Sequence, residues 1–215
     1  MDGMAPLTVE VWSDVVCPWC YVGKRRLESA LAEFERPVEV TWRSFELDPS
    51  APRERELPAA EHLAAKYGMS VEQAQASQAQ LTELAAAEGL EYRLDRTRGG
   101  NSFDAHRMIH LAAAHDLQDA AKERLMRAYF TESEPIGDPD TLVRLMAEIG
   151  IDDDEARAVL QGDAYADAVR ADEELAYRIG IQGVPFFVLN RRYGVSGAHP
   201  PEALLEALRR SEEAA

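Results

Sequence analysis

Cys17-Pro18-Trp19-Cys20 contains the only two cysteines of a 215-residue chain. Two thiols separated by two residues can close into a small reversible disulfide. The chemistry this spacing offers is thiol–disulfide exchange. Leu7 to Trp12, just before the pair, alternates like a strand, and Tyr21 to Phe34, just after it, is spaced like a helix. Cys17 is thereby predicted at a helix N-terminus, where unpaired N–H groups and the helix dipole favour an anion. Its pKa is expected to fall into the range of about 3.5–7.5. Pro18 suits the first helical position, where its missing N–H costs nothing. Cys20 lies most of a turn further in, within reach of a mixed disulfide on Cys17. Cys17 is the expected attacking thiol and Cys20 the resolving one, with Pro18 and Trp19 tuning the redox potential. Lys24 and Arg25 in the next turn add positive potential, whereas Asp14 opposes it unless turned aside.

Two plainer readings compete. A CxxC supplies half of a zinc site. No other cysteine exists to complete one, which leaves only His106 and His110, at i, i+4 on a predicted helix, and no metal is expected. Two inert core thiols are the other reading, and an intervening Pro18-Trp19 argues against it.

The net charge of −16 argues against nucleic-acid binding, which wants a basic face, and against an anionic membrane surface. No apolar run approaches the ~20 residues that span a bilayer. The N-terminal residues show neither the basic nor the apolar region of a signal peptide. The expected localisation is cytoplasmic, where a CxxC disulfide is transient and catalytic rather than structural.

These cysteines need a scaffold, and the pattern divides into three blocks. Residues 1–48 read strand, helix, strand, the second strand being Val38 to Phe45. Residues from about 50 to 178 carry helical spacing without a convincing strand. Ser70 and Gln73 form a capping box for a helix to about Ala87, ended by Gly89. Ser102 is placed to cap a helix through Ala114. Leu117 to Phe130 is another, Asp138-Pro139 opens the next, and Asp152 with its acidic neighbours opens one more. A last helix is expected from about Asp163 to Ile179. The acidic runs Asp152 to Glu155 and Asp172 to Glu174 read as solvated faces. The final block restores the β pattern: Phe186 to Asn190, a tight turn at Arg191-Arg192, Tyr193 to Ser196, then a helix from Glu202 to Arg210. Val184-Pro185 stands at the start of its first strand, where a residue without an N–H belongs.

This order of segments resembles the DsbA-type oxidoreductases, and more closely their FrnE-like branch. That branch is related to 2-hydroxychromene-2-carboxylate isomerases and kappa-class glutathione transferases. The resemblance is carried by Asp14 to Gly23, Phe45 to Pro49, Asn101 to Arg107, Gly180 to Phe186 and Val195 to Pro201. It implies an α/β thioredoxin fold with a large all-helical insertion: residues 1–49 and 180–215 form the thioredoxin-like domain, and 50–179 the inserted helical domain. It implies that Pro185 is cis and packs against the CPWC pair, and that the Val184 backbone pairs with an extended substrate or with glutathione. It also implies that the insertion lids the site, bringing Asn101 and His106 near it. His106 is read equally well as a packing histidine.

The isomerase and transferase branches typically have serine at the position of Cys17, so retaining both cysteines favours dithiol chemistry. The second cysteine pair of some relatives is absent, which excludes an intramolecular relay. The expected activity is a thiol–disulfide oxidoreductase acting on a protein or small-molecule thiol or disulfide. No tightly bound cofactor is expected; glutathione is a possible co-substrate and a homodimer a possible assembly. The alternative activity is a glutathione-dependent isomerase or transferase for an aromatic or polyketide-like molecule, with Lys24, Arg43, Arg191 or Arg192 as its basic patch. A redox-sensing or chaperone-like binding module is the third reading.

Overall fold

The computed structural model describes residues 6–55 and 57–213. The stretch read above for a signal peptide begins in residues 1–5, outside them. Strand β1 (Leu7–Ser13), helix α1 (Pro18–Ala32) and strand β2 (Val38–Ser44) open the fold. Seven helices follow: α2 (Ala59–Tyr67), α3 (Val71–Ala87), α4 (Phe103–Ala113), α5 (Gln118–Phe130), α6 (Pro139–Glu148), α7 (Asp153–Gln161) and α8 (Ala166–Arg178). Strands β3 (Phe186–Leu189) and β4 (Tyr193–Ser196) and helix α9 (Pro201–Glu213) close it.

The sheet order is β2-β1-β3-β4, with β1 parallel to β2 and antiparallel to β3. As an inner strand, β1 buries nearly every residue. Alternation along it sends Val9 and Val11 to one face and Trp12 to the other. Val9 and Val11 join a core with Leu27 of α1, Leu204 and Leu208 of α9, and Phe187 of β3. Trp12 packs with Ala176 of α8 and Ile181. The first core runs without a break into α4, α5 and α6 through Met108, Leu125 and Leu142. Burying each such apolar side chain contributes about 1.5–3 kcal/mol, so sheet and helices share one source of stability.

Local capping explains several helix starts. The Ser70 side chain accepts from Gln73 N–H while Gln73 reaches back to Ser70 N–H. Asp138 accepts from Thr141 N–H ahead of Pro139, and Asp152 from the N–H groups of Asp154 and Glu155. Four details depart from the sequence reading. Helix α2 has no side-chain cap and begins after Pro58, so no start signal announces it. Helix α8 begins at Ala166 rather than Asp163, because Tyr165 stands in the left-handed region at φ 62°. The hairpin turns over Asn190 and Arg191, both at positive φ, one residue earlier than expected.

The fourth departure concerns Asp172, whose acidic run reads as a solvated face but which is itself buried. Its Oδ2 accepts from Ser44 N–H at 2.9 Å and its Oδ1 from Arg43 Nη1 at 2.9 Å. Its backbone carbonyl accepts from Trp12 Nε1 at 2.9 Å, and His110 Nε2 stands 3.2 Å from its carboxylate. One aspartate thus ties α8 to both β1 and β2.

Candidate active site

Strand β1 ends at Ser13, and four residues later the chain enters α1. Cys17 is the N-cap residue of α1, with extended backbone (φ −89°, ψ 112°), and Pro18 follows at the first helical position. Cys20 N–H donates to Cys17 O at 3.0 Å, placing the second thiol one turn inward. Both thiols are free. Cys17 is 4% exposed and Cys20 1%, so only Cys17 edges the solvent. Trp19 between them is 44% exposed.

Val184 brings the far end of the chain to this point. The Cys17 Sγ–H donates to Val184 O at 3.6 Å, and the Val184–Pro185 bond is cis. Pro185 is buried against Gly23 of α1. The segment between α3 and α4 holds the motif from the other side. Tyr92 Oη donates to Pro18 O at 2.6 Å, and its ring stacks on Phe130 at 4.8 Å.

Beneath the motif lie three buried ionisable groups. Asp14 Oδ2 accepts from Leu47 N–H at 2.8 Å, and its Oδ1 stands 3.3 Å from His106 Nε2. Burial alone would raise the Asp14 pKa, but the hydrogen bond and charge of His106, with Leu47 N–H and Ser102, hold it below the ordinary carboxylate value. Burial lowers His106 despite Asp14. The Asp14 carboxylate accepts from His106 Nε2–H. Lys122 is fully buried; its Nζ donates to Ser13 O at 3.1 Å and stands over the Trp42 ring. Burial pushes its pKa down to about 8, against the pull of Cys20, Asp14 and Cys17.

The surroundings of Cys17 work against the expected depression of its pKa. A shared hydrogen bond with Cys20, then burial, then the charges of Cys20 and Asp14 push the Cys17 thiol well above the ordinary value of 9.0. The Cys20 N–H pulls the other way without prevailing. Nor do Lys24 and Arg25 lend it positive potential. Lys24 contacts Glu28, Asp119 and Glu123, and Arg25 contacts Glu28 and Glu123.

Cys17 opens onto a cleft of about 720 Å³, within the range of small-molecule sites. Asp14, Pro18, Trp19 and Val184 also line it; Cys20, Asn101, His106 and Pro185 do not. Asn101 has a local task instead. Its Oδ1 accepts from Phe103 N–H at 2.9 Å, starting α4 in place of the expected Ser102 cap, and its Nδ2 bonds Glu46 and Pro49 O. His106 reaches the site only through Asp14. His106 and His110 face different carboxylates, Asp14 and Asp172, and among the described residues no cluster suits a metal. Lys24, Arg43 and Arg191, named for an anionic co-substrate, already face carboxylates. The basic side chains of the cleft are the cations Arg55 and Lys66 and, between them, His62, whose pKa is lowered by burial and by those two charges. They were missed because the loop and α2 that present them carry no motif. Lys122, one of only three lysines in the chain, was missed because it falls in an ordinary helical pattern; only its apolar flank, Ala121 and Leu125, hints at burial. Among the described residues no helix is long and apolar enough to cross a membrane.

Comparison with known proteins agrees with this architecture. A model of the DsbA-like thioredoxin domain matches residues 8–209. The solved structure of a probable DsbA oxidoreductase from Streptomyces coelicolor superposes with a TM-score of 0.93 at 49% identity, covering 96% of this chain and 90% of that one. The cytosolic disulfide reductase DsbM from Pseudomonas aeruginosa, solved with GSH, shares the fold with a TM-score of 0.69 at 21% identity, covering 96% of this chain and 99% of its own. An uncharacterized protein of Bacillus subtilis, YwbO, is 30% identical over 183 residues, or 84% of this chain and 86% of that protein. The chain belongs to the family of DsbA-like thioredoxin-domain proteins.

Proposed function

We propose that the protein is a thiol–disulfide oxidoreductase in which Cys17 exchanges with substrate and Cys20 resolves. The observation that carries this reading is the placement of Cys17 Sγ at the α1 N-terminus, 3.6 Å from Val184 O, at the wall of an open cleft with Cys20 one turn behind. In the reducing direction the Cys17 thiolate attacks a substrate disulfide and expels one substrate thiolate. The Cys20 thiolate then attacks Cys17 Sγ, releases the second thiol and leaves a Cys17–Cys20 disulfide. Two electrons and two protons pass to the substrate. A small thiol such as glutathione, used twice, restores the dithiol; the solved complex of DsbM with GSH supports this choice. The Val184 backbone shapes the groove, Pro185 seats it against α1, and Trp19 and Pro18 border it. The work is assigned to the cytoplasm, with residues 1–49 and 180–215 as catalytic domain and 50–179 as the helical domain that covers it.

Cys20→Ser should trap a mixed disulfide on Cys17, seen as an adduct by intact mass spectrometry, and Cys17→Ser should abolish turnover. Full turnover in Cys17→Ser overturns the reading. The mainly apolar cleft favours a second reading, a glutathione-dependent isomerase or transferase. Tight glutathione binding with catalysis retained in Cys17→Ser would select it.

A further inference from the structure

Resting on the oxidoreductase reading, we propose that the cleft beside Cys17 is built for a small organic thiol or disulfide with an apolar body and a carboxylate, the carboxylate being held by Arg55, His62 and Lys66. Seven large apolar side chains are strongly exposed among the described residues. Four of them, Trp19, Leu47, Leu57 and Tyr67, line this cleft. Exposed apolar surface gathered in one place marks a binding site. Deeper walls come from Leu63, Leu81, Leu84 and Phe130.

The cationic wall is held in place. Arg55 N–H donates to Gly99 O at 2.8 Å and Asn101 N–H to Pro52 O at 2.9 Å, which clips the loop carrying Arg55 to the segment before α4. Gly100 and Gly137 permit this approach, since a Cβ on either would stand 2.1 Å from Arg53 O. The Arg55 guanidinium pairs with Asp48 Oδ2 at 2.6 Å and donates to His62 Nε2. These contacts use two of its five N–H donors. Asp48 and the buried Asp14 match the two permanent charges of Arg55 and Lys66, so the cleft carries no net negative charge, in a chain of net charge −16 whose general field repels anions. A guanidinium beside an apolar chamber is suited to a planar carboxylate.

In the proposed step the Cys17 thiolate attacks the disulfide of the bound acid, forming Cys17–S–S–R and expelling R–S⁻. Cys20 then releases the second R–S⁻, both leaving thiolates take up a proton, and the protein leaves as its disulfide.

The test uses the reduced full-length protein in single turnover against two aryl disulfides, the dicarboxylate 5,5′-dithiobis(2-nitrobenzoic acid) and the neutral 4,4′-dithiodipyridine. The readout is the ratio of their rate constants. Arg55→Met should lower the ratio of anionic to neutral by about tenfold, the scale of a lost charged hydrogen bond. Lys66→Met, at an exposed position that does not threaten folding, should lower it by a smaller factor. Arg178→Gln, an exposed arginine outside the cleft, controls for net charge and should leave the ratio unchanged. A ratio unaffected by Arg55→Met, or lowered equally by Arg178→Gln, overturns the proposal while leaving the oxidoreductase reading intact. A wild-type protein that consumes neither disulfide faster than a free thiol overturns both.

Discussion

Gly23 of α1 lies against Pro185, 162 residues away in sequence: a Cβ added at Gly23 would stand 2.9 Å from Pro185 Cγ and 3.4 Å from Phe187 Cζ. The absence of one methyl group lets the helix that begins with the CPWC motif rest on the strand start that faces Cys17. Gly23→Ala should therefore push these elements apart. We expect a destabilisation of about 1–3 kcal/mol, typical of overpacking, and slower disulfide exchange, checked by thermal melting and by single-turnover kinetics. Unchanged values for both would show that the contact has slack.

The Cys17 thiol stands above its ordinary value because of Cys20, burial and Asp14. A thiol pKa raised in this way predicts an alkylation rate that climbs tenfold per pH unit and is still climbing at pH 9. Asp14→Asn removes a negative charge that disfavours the thiolate. Cys20→Ser removes a competing thiol. Each should raise the rate at pH 7 several-fold. Stopped-flow alkylation across pH checks this, and a plateau below pH 7 in the wild type would contradict it.

A thiolate that receives no net stabilisation leaves the reduced form without a special advantage. The disulfide should accordingly be hard to reduce, with a midpoint nearer about −270 mV than about −120 mV. Equilibration in glutathione buffers, followed by alkylation and intact mass measurement, gives the value directly. A strongly oxidising midpoint would mean that the helix N-terminus outweighs burial and Asp14.

Glu46 offers a pH dependence of stability. Burial, opposed by Arg170 and reinforced by Glu173, raises its pKa to about 7 from an ordinary 4.5. The folded state thus holds this proton more tightly than the unfolded chain. The stability it confers is complete below about pH 4.5 and is lost as pH rises through 7. Between pH 5 and pH 8 the loss is about 2 kcal/mol. Glu46→Gln should remove that part of the pH dependence and should be more stable than wild type at pH 8. Melting curves at the two pH values decide it.

Much of the frame was legible because its signals are local. The strand–CPWC–helix unit is written in 28 consecutive residues, Leu7 to Phe34: alternation before the cysteines, helical spacing after them, Pro18 at the start. The caps at Ser70, Asp138 and Asp152 are equally local, since each side chain reaches only two or three residues ahead. What α2 lacked was such a signal, and so the cations of the cleft wall went unseen with it.

The sequence by itself determined which atoms can do chemistry here: two thiols, their spacing, and their place at a helix start, all consequences of backbone geometry over one turn. Only the tertiary structure decided their surroundings. Asp14 meets His106 across 92 residues and Lys122 meets Ser13 O across 109. Asp172 leaves an acidic run to bind β2 because a buried carboxylate must find donors, and Ser44 N–H and Arg43 supply them. The thiol pKa follows the same division: the helix N-terminus was readable, but the burial and charge that overrule it are made by residues the fold brings in from elsewhere.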